Sequence, residues 1–183
     1  MDASYTIHMD GERMLSGWFF VESQFAGEWQ NLCMTAPTSP SSANSTPLGD
    51  VRPATGYAGD ISPMLAAQWV ASGEAVLVDV RSDAEREWVG YVPGSLGLAW
   101  KQWPGMVPNA DFDEGLRAGV PQGRKAVMLC RSGVRSISAA KRATELGIEA
   151  YNILEGFEGN PDEHGQRGHV GGWRFRGLPW KQN

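Results

Sequence analysis

Apolar residues Val127, Met128 and Leu129 run straight into Cys130, and Arg131-Ser132-Gly133-Val134-Arg135-Ser136 follow. A short apolar run of this kind reads as a buried strand. Ile137, Ala140 and Ala143-Thr144 then recur at helical spacing, with Lys141 and Arg142 between them. Cys130 therefore belongs at a turn from strand to helix. Backbone N–H groups at a helix start have no intrahelical partner and can converge on one point. The helix dipole adds partial positive charge there, and Arg131 and Arg135 add whole charges nearby. Such surroundings stabilise a thiolate, the reactive form of cysteine. A cysteine is often only a small core hydrophobe, but Arg-Ser-Gly is not core composition. Cys130 is thus the candidate nucleophile.

Strands and helices on either side set where this cysteine stands. Ser62-Pro63 starts a helix, with Ser as N-cap and Pro at the first helical position, and Gly73 ends it. Ala75 to Arg81 is a buried strand ending in charge. Ser82 caps a short helix through about Val89, with Glu85 as its capping-box partner. Gly90 to Ser95 is rich in turn residues and leads to a third strand over 96–99. The stretch with Trp100, Trp103, Pro104, Pro108 and Pro121 reads as helix-poor. After the Cys130 strand and its helix, Gly147 supplies a C-cap and residues 150–154 form a further strand. Strands alternating with helices predict a parallel sheet covered on both faces. Ligands bind such sheets at the carboxyl ends of their strands, where Arg81 and Cys130 both fall.

Upstream, residues 34–56 are rich in Pro, Ser and Thr and poor in large apolar groups. They read as a disordered linker, with the domain spanning 57–183. Residues 1–33 form an extension without sustained period. Two readings stay open for it: a short helix around Leu15 to Phe25 packed on the domain, or an upstream extension of a chain whose natural start is Met34. It lacks the basic and long apolar regions of a signal peptide.

The whole chain narrows the function classes. It has 183 residues and a net charge of -5, so it is a poor nucleic-acid binder. No apolar run approaches the ~20 residues of a membrane helix. Cys33 and Cys130 lie far apart and make no disulfide framework, which fits a reducing, cytoplasmic setting. His8, His164 and His169 show no metal-ligand spacing with cysteines or carboxylates. No phosphate-binding glycine loop or serine-hydrolase elbow is present.

Four segments resemble a rhodanese domain, the sulfurtransferase family, in its short single-domain bacterial form. VLVDVRSDAERE (76–87) is similar to that family's strand with Asp-x-Arg and a downstream Glu. GYVPGS (90–95) is similar to its Gly-His-Ile-Pro-Gly-Ala turn, with Tyr91 in place of His. CRSGVRS (130–136) resembles its active loop, and NILEGFEG (152–159) its Leu-x-Gly-Gly segment, with Phe157-Glu158 interrupting the glycine pair. The ending Gly-Trp-Arg…Gly-Leu-Pro-Trp also matches, so the likeness runs from about Tyr57 to Trp180. The resemblance implies a three-layer α/β/α domain with a five-stranded parallel sheet. It implies a persulfide on Cys130, a cradle of Arg131, Ser132, Gly133, Val134, Arg135 and Ser136, and donor oxyanions drawn to Arg135 and Arg131. Asp79 and Arg81 would support the site, Arg81 by tying Asp79 or the following helix to the loop; a plain surface ion pair is the competing reading of Arg81. Neither a metal nor an organic cofactor is required. The partners would be a small anionic sulfur donor, such as thiosulfate, and a thiol or protein sulfur acceptor, with no nucleic acid and no membrane.

Two rivals share this pattern. A phosphatase of the same fold has one more residue between Cys and Arg, whereas Cys130 to Arg135 spans six positions. The second is a non-catalytic sulfur carrier or interaction module; a carrier keeps the same cysteine, whereas the intact Cys130 argues against a mere scaffold. Trp173 and Trp180 are candidates to line the entrance to the site, against the commoner core role of tryptophan.

Overall fold

The computed structural model describes Gly49 and residues 51–183. The expectations for residues 1–33, for most of the linker, and for His8, Cys33 and Met34 lie outside the described residues. Eleven elements follow in order among those described: β1 (Gly59–Ile61), α1 (Pro63–Ala71), β2 (Ala75–Asp79), α2 (Asp83–Val89), β3 (Leu96–Gly97), β4 (Lys101–Gln102), β5 (Val107–Pro108), α3 (Phe112–Gly119), β6 (Lys125–Leu129), α4 (Arg135–Glu145) and β7 (Ala150–Ile153).

Five strands form one sheet in the order β1-β7-β6-β2-β3, every pair parallel. The strand leading to Cys130 is the central one. Side chains alternate across a strand, and the two faces separate cleanly. Val78, Val80, Ala126, Met128 and Cys130 join Phe112 and Leu116 of α3 and Ala139, Ala140 and Ala143 of α4 in one core layer. Leu77, Val127, Leu129 and Ile153 pack with Ala66 of α1, Phe157 and Trp173 in the other. Helices thus cover both faces, giving the three-layer α/β/α arrangement.

The helix boundaries follow the capping chemistry. The Ser62 side chain accepts from the Leu65 N–H at 3.2 Å, with Pro63 behind it. Ser82 and Glu85 form a reciprocal capping box, and the Ser82 N–H donates to Glu85 Oε2 at 3.0 Å. The segment that reads as helix-poor departs from expectation. It folds into the antiparallel β4–β5 hairpin and then α3, whose Phe112 and Leu116, four residues apart, are its buried residues. Two core-facing side chains among proline and glycine are too few to show a period. Asp113 and Glu114 open α3 and Arg117 closes it, as the helix dipole favours. Arg142 of α4 grips Asp113 through Nε (2.9 Å) and Nη2.

Residues 51–56, assigned to the linker by composition, are placed against the domain. Arg52 pairs with Asp60 across the outer edge of β1, with N···O distances of 2.9 and 2.8 Å in the two directions, and Val51 packs on the second core layer. Contacts with the domain therefore include residues upstream of Tyr57. At the far end, Tyr91 and Lys181 exchange backbone hydrogen bonds of 2.7 and 2.8 Å, so the C-terminal tail straps the turn after α2.

Candidate active site

Cys130 follows the last residue of the central strand and is 1% exposed. Its Sγ receives the Gly133 N–H at 3.2 Å and lies 3.1 Å from Ser136 Oγ. The loop can close this tightly because of two glycines. Gly133 has φ 85°, and a Cβ there would stand 2.1 Å from the Leu154 carbonyl oxygen. Gly156 has φ 61°, and its Cβ would stand 2.5 Å from the Cys130 carbonyl oxygen. The segment after β7 therefore lies directly on the loop. It holds it through Phe157 N–H to Cys130 O (2.8 Å) and Glu158 N–H to Arg131 O (2.9 Å). Helix α4 starts without a side-chain cap, so its first N–H groups are not occupied by a capping side chain. Among the described residues, Gly133 is the loop position whose backbone N–H bonds Sγ.

The cationic residues divide into three roles. Arg135 forms a two-pronged pair with Glu85, Nη1 to Oε2 at 2.9 Å and Nη2 to Oε1 at 2.5 Å. Burial alone would raise the Glu85 carboxyl, but hydrogen bonds from Arg135 and Ser82 overcome it and hold the pKa down to about 2. The Arg135 guanidinium is raised in turn, chiefly by its bond to Glu85, with a smaller contribution from Cys130. Arg81 is fully buried. It grips Asp79 through Nε (2.9 Å) and Nη2 (2.6 Å), donates to the Gly90 carbonyl at 2.9 Å, and stacks 3.9 Å from the Phe157 ring centroid. The surface-pair reading of Arg81 is thereby replaced: both side chains have 0% exposure. Phe157, which stands where the resemblance expects the second glycine, is the face on which this guanidinium rests. Arg131 is exposed and makes no ion pair among the described residues.

Behind the cysteine runs a polar chain that sequence reasoning missed. Ser136 Oγ is 2.6 Å from Asn152 Oδ1, Asn152 Nδ2 donates to Asp60 Oδ1 at 2.8 Å, and Tyr57 OH donates to the same oxygen at 2.7 Å. Burial, then the hydrogen bond to Asp60, push the Tyr57 phenol up to about 12. Because a carboxylate only accepts, Asp60 fixes the Asn152 amide with its oxygen toward Ser136. Ser136 then donates to Asn152 and offers a lone pair to the Cys130 thiol. For the thiolate, the same hydroxyl proton can turn to Sγ. Asn152 lies within the quoted NILEGFEG segment, but nothing in the sequence ties it to Asp60, 92 residues away.

Beside the loop, Ser82, Ala84, Glu85, Trp88, Val89, Trp103, Met106, Arg131 and Arg135 line an open cleft of about 410 Å³. The tryptophans at this entrance are Trp88 and Trp103. Trp173 is 2% exposed in the core, and Trp180 packs edge-on to Phe157 at 6.0 Å, so neither plays the role considered for it. Asp79, Arg81, Cys130 and Arg131 to Ser136 are gathered at the carboxyl ends of β2 and β6 and the start of α4, as the strand order requires. His164 and His169 lie on an exposed loop, His169 bonded to Asp162 at 2.7 Å. No cluster of three metal-ligating side chains occurs among the described residues.

With this geometry in view, comparison with known proteins gives a consistent result. Residues 62–160 match the model of the Rhodanese-like domain family. The crystal structure of Rv0390 from M. tuberculosis is similar with a TM-score of 0.64 and 44% identity, covering 69% of this chain and 99% of that one. An uncharacterised protein of Rickettsia rickettsii is 34% identical over 117 residues, 61% of this chain and 87% of its own length. Its counterpart in Rickettsia conorii is 33% identical over the same shares. The chain belongs to the rhodanese-like domain family. No helix among the described residues is long and apolar enough to cross a membrane.

Proposed function

We propose that this protein is a sulfurtransferase that carries sulfur on Cys130. One observation carries the reading: Sγ sits inside a six-position loop where the Gly133 N–H and the Ser136 hydroxyl reach it at 3.2 and 3.1 Å. The Cys130 thiolate attacks the outer sulfur of a sulfane donor such as thiosulfate. A new S–S bond forms, the donor's S–S bond breaks, and sulfite leaves with the electron pair. The resulting persulfide is anionic, and the same donors stabilise it. A thiophilic acceptor, a small thiol or a protein thiol, then attacks the terminal sulfur and regenerates the thiolate. Neither step uses a metal or an organic cofactor. Arg131 attracts the anionic donor, while Arg135, tied to Glu85, holds the loop and adds field. A reduced thiol is needed, so we place the protein in a reducing cytoplasm.

The test is intact mass after incubation with thiosulfate. One added sulfur atom is expected in wild type, removed by reductant and absent in Cys130→Ser. Addition at Cys33 instead would overturn the assignment. Wild type should also convert thiosulfate and cyanide to thiocyanate and leave aryl phosphates intact. A phosphoryl group with three equatorial oxygens needs a wider cup than this loop. Faster cleavage of aryl phosphate than transfer of sulfur would put the phosphatase reading in its place.

A further inference from the structure

A serine hydroxyl has one proton to give. Ser136 Oγ has two claimants for it, Asn152 Oδ1 at 2.6 Å and Cys130 Sγ at 3.1 Å. Ser136, Asn152 and Cys130 are each 1% exposed or less, so bulk water does not supply a missing partner. The next bond outward settles the choice. Asp60 lies opposite Asn152 in the β1–β7 register. Asn152 Nδ2 donates to Asp60 Oδ1 at 2.8 Å, and Tyr57 OH donates to the same oxygen at 2.7 Å. A carboxylate has no proton to return, so the amide cannot turn over. Its oxygen stays toward Ser136, and two oxygens 2.6 Å apart need a proton between them. That proton is the serine's.

The consequence for Cys130 depends on its charge state. As a thiol it gives its own proton to the free lone pair of Ser136, and both ends of the Asn152 amide keep their partners. As a thiolate it needs the Ser136 proton. Taking that proton strips Asn152 Oδ1 of its donor, in a place where an unpartnered polar atom is costly. Turning the amide would repair this, with Nδ2 then donating to Ser136, but would set Oδ1 against the Asp60 carboxylate. The wiring therefore favours the thiol. The other charges around the loop have no such choice to make. Arg135 is paired with Glu85, Arg81 with Asp79, and Glu155 after β7 with Arg176. Arg131 is exposed, and Glu158 meets the loop through its backbone N–H. These groups set a constant field, whereas the Asp60–Asn152–Ser136 chain sets where a proton sits.

We infer that Asp60 is a positioning residue for Cys130: by locking the Asn152 amide it commits the one Ser136 proton away from Sγ and holds the resting cysteine as the thiol. It acts through two intervening side chains, from the outermost strand of the sheet to the end of the central one. The inference rests on the sulfurtransferase reading where it touches turnover, and deepens it there. The Ser136 hydroxyl turns to Sγ when charge arrives on it. That happens on deprotonation, and again when an acceptor takes the outer sulfur and Cys130 departs as thiolate. Between turnovers, a thiol is spared the alkylation and oxidation that a standing thiolate invites.

The test is the pH profile of iodoacetamide alkylation of the full chain, read on the Cys130 peptide by mass spectrometry. In Asp60→Asn the new amide accepts either face of Asn152, so Asn152 can turn over and Ser136 can donate to Sγ. The midpoint of the profile should move down by about one pH unit, the worth of one hydrogen bond regained. Well above both midpoints the variant should react about threefold more slowly, because a thiolate loses nucleophilicity as it loses basicity. A site that was merely loosened would react faster at every pH, and that result overturns the inference. Asn152→Leu removes the competing acceptor and leaves the Asp60 charge in place. It should lower the midpoint in the same way, and it answers the question if Asp60→Asn does not fold. The route is checked in Ser136→Ala, where adding Asp60→Asn should leave the midpoint unmoved. An equal shift with and without Ser136 means that the Asp60 charge acts through space, which overturns the positioning role, as does an unmoved midpoint in either folded variant. Intact mass after thiosulfate keeps the two readings apart. A persulfide on Cys130 with an unmoved profile removes the role of Asp60 alone. A moved profile with no persulfide removes the sulfurtransferase reading and leaves Asp60 acting on the thiol.

Discussion

Arg81 and Asp79 show what a charge pair in a dry interior demands. Both are fully buried, and Nη1 of Arg81 has no hydrogen-bond partner, so the pair is held by its two-pronged geometry and by stacking on Phe157. Arg81→Met leaves the Asp79 carboxylate without its counter-ion. Breaking a buried pair in this way costs about 3–5 kcal/mol, and urea unfolding should show a loss of that size. The Glu85–Arg135 pair is partly open to solvent, with side-chain exposures of 25% and 23%, so Glu85→Gln should cost less, about 1–3 kcal/mol. The two differ in pH dependence as well. The Glu85 carboxyl is lowered in the folded protein from 4.5 to about 2. Its contribution is therefore complete above pH 4.5 and is lost as pH falls through about 2. Wild-type melting temperature should fall across that window, and the part due to this group should be missing in Glu85→Gln. In the proposed reaction Ser136 acts on the chemistry itself. Ser136→Ala removes a donor from Sγ, and the single-turnover rate of persulfide formation should drop about tenfold, near the ~1.5 kcal/mol of one hydrogen bond to a charged group.

Among the elements, the Cys130 loop is held by what lies on either side of it. Strand β6 delivers Cys130, α4 begins at Arg135, and the segment after β7 presses on the loop from outside. Gly133→Ala combines an unfavourable φ with a Cβ 2.1 Å from the Leu154 carbonyl oxygen. Backbone cannot yield as a side-chain tip can, so the loop must move. Sulfur transfer should be lost while far-UV circular dichroism stays near wild type, because the sheet does not depend on the loop. By contrast, Ser82→Ala removes the cap of α2 and should cost ~1 kcal/mol of stability. It should also loosen Glu85, which the same cap orients, and so weaken the hold on Arg135. An unchanged rate of persulfide formation in Ser82→Ala would separate the cap from the site.

For the molecule as a whole, the two ends of the described chain are part of the domain. Val51 and Arg52 cover the outer edge of β1, an edge that would otherwise expose unpaired backbone. A chain starting at residue 51 should melt like the full protein and transfer sulfur at the same rate. One starting at residue 57 should lose about 1–2 kcal/mol, the burial of part of a valine and two backbone bonds. The C-terminal strap has a similar role. Trp173 donates to the Pro179 carbonyl at 2.9 Å, and Trp180 packs against Phe157 under the Arg174 guanidinium. Removing residues 179–183 should cost about 2 kcal/mol and shift the melting temperature more than the first truncation does.

The local parts were legible in the order of the residues. The Ser62-Pro63 and Ser82…Glu85 caps, the glycine stops after α1 and α4, and the apolar run into Cys130 are signals a few residues long. They placed β2, β3, β6, β7, α1, α2, α4 and the candidate nucleophile, but not β1 or the β4–β5 hairpin, and the strand–helix alternation required a parallel sheet. Helix α3 escaped because Phe112 and Leu116 are too few to reveal a period between prolines and glycines. Which charges meet is set by the folded arrangement. Glu85 reads in sequence as a cap and becomes the partner of Arg135, 50 residues on. Asp60 and Asn152 are brought together by the β1–β7 register. Trp88 and Trp103 rather than Trp173 and Trp180 face the cleft, because the tail folds its tryptophans inward against Phe157 while the β4–β5 turn carries Trp103 out. Pairings of this kind depend on strand order and on how loops cross the sheet edge, and no local spacing encodes either.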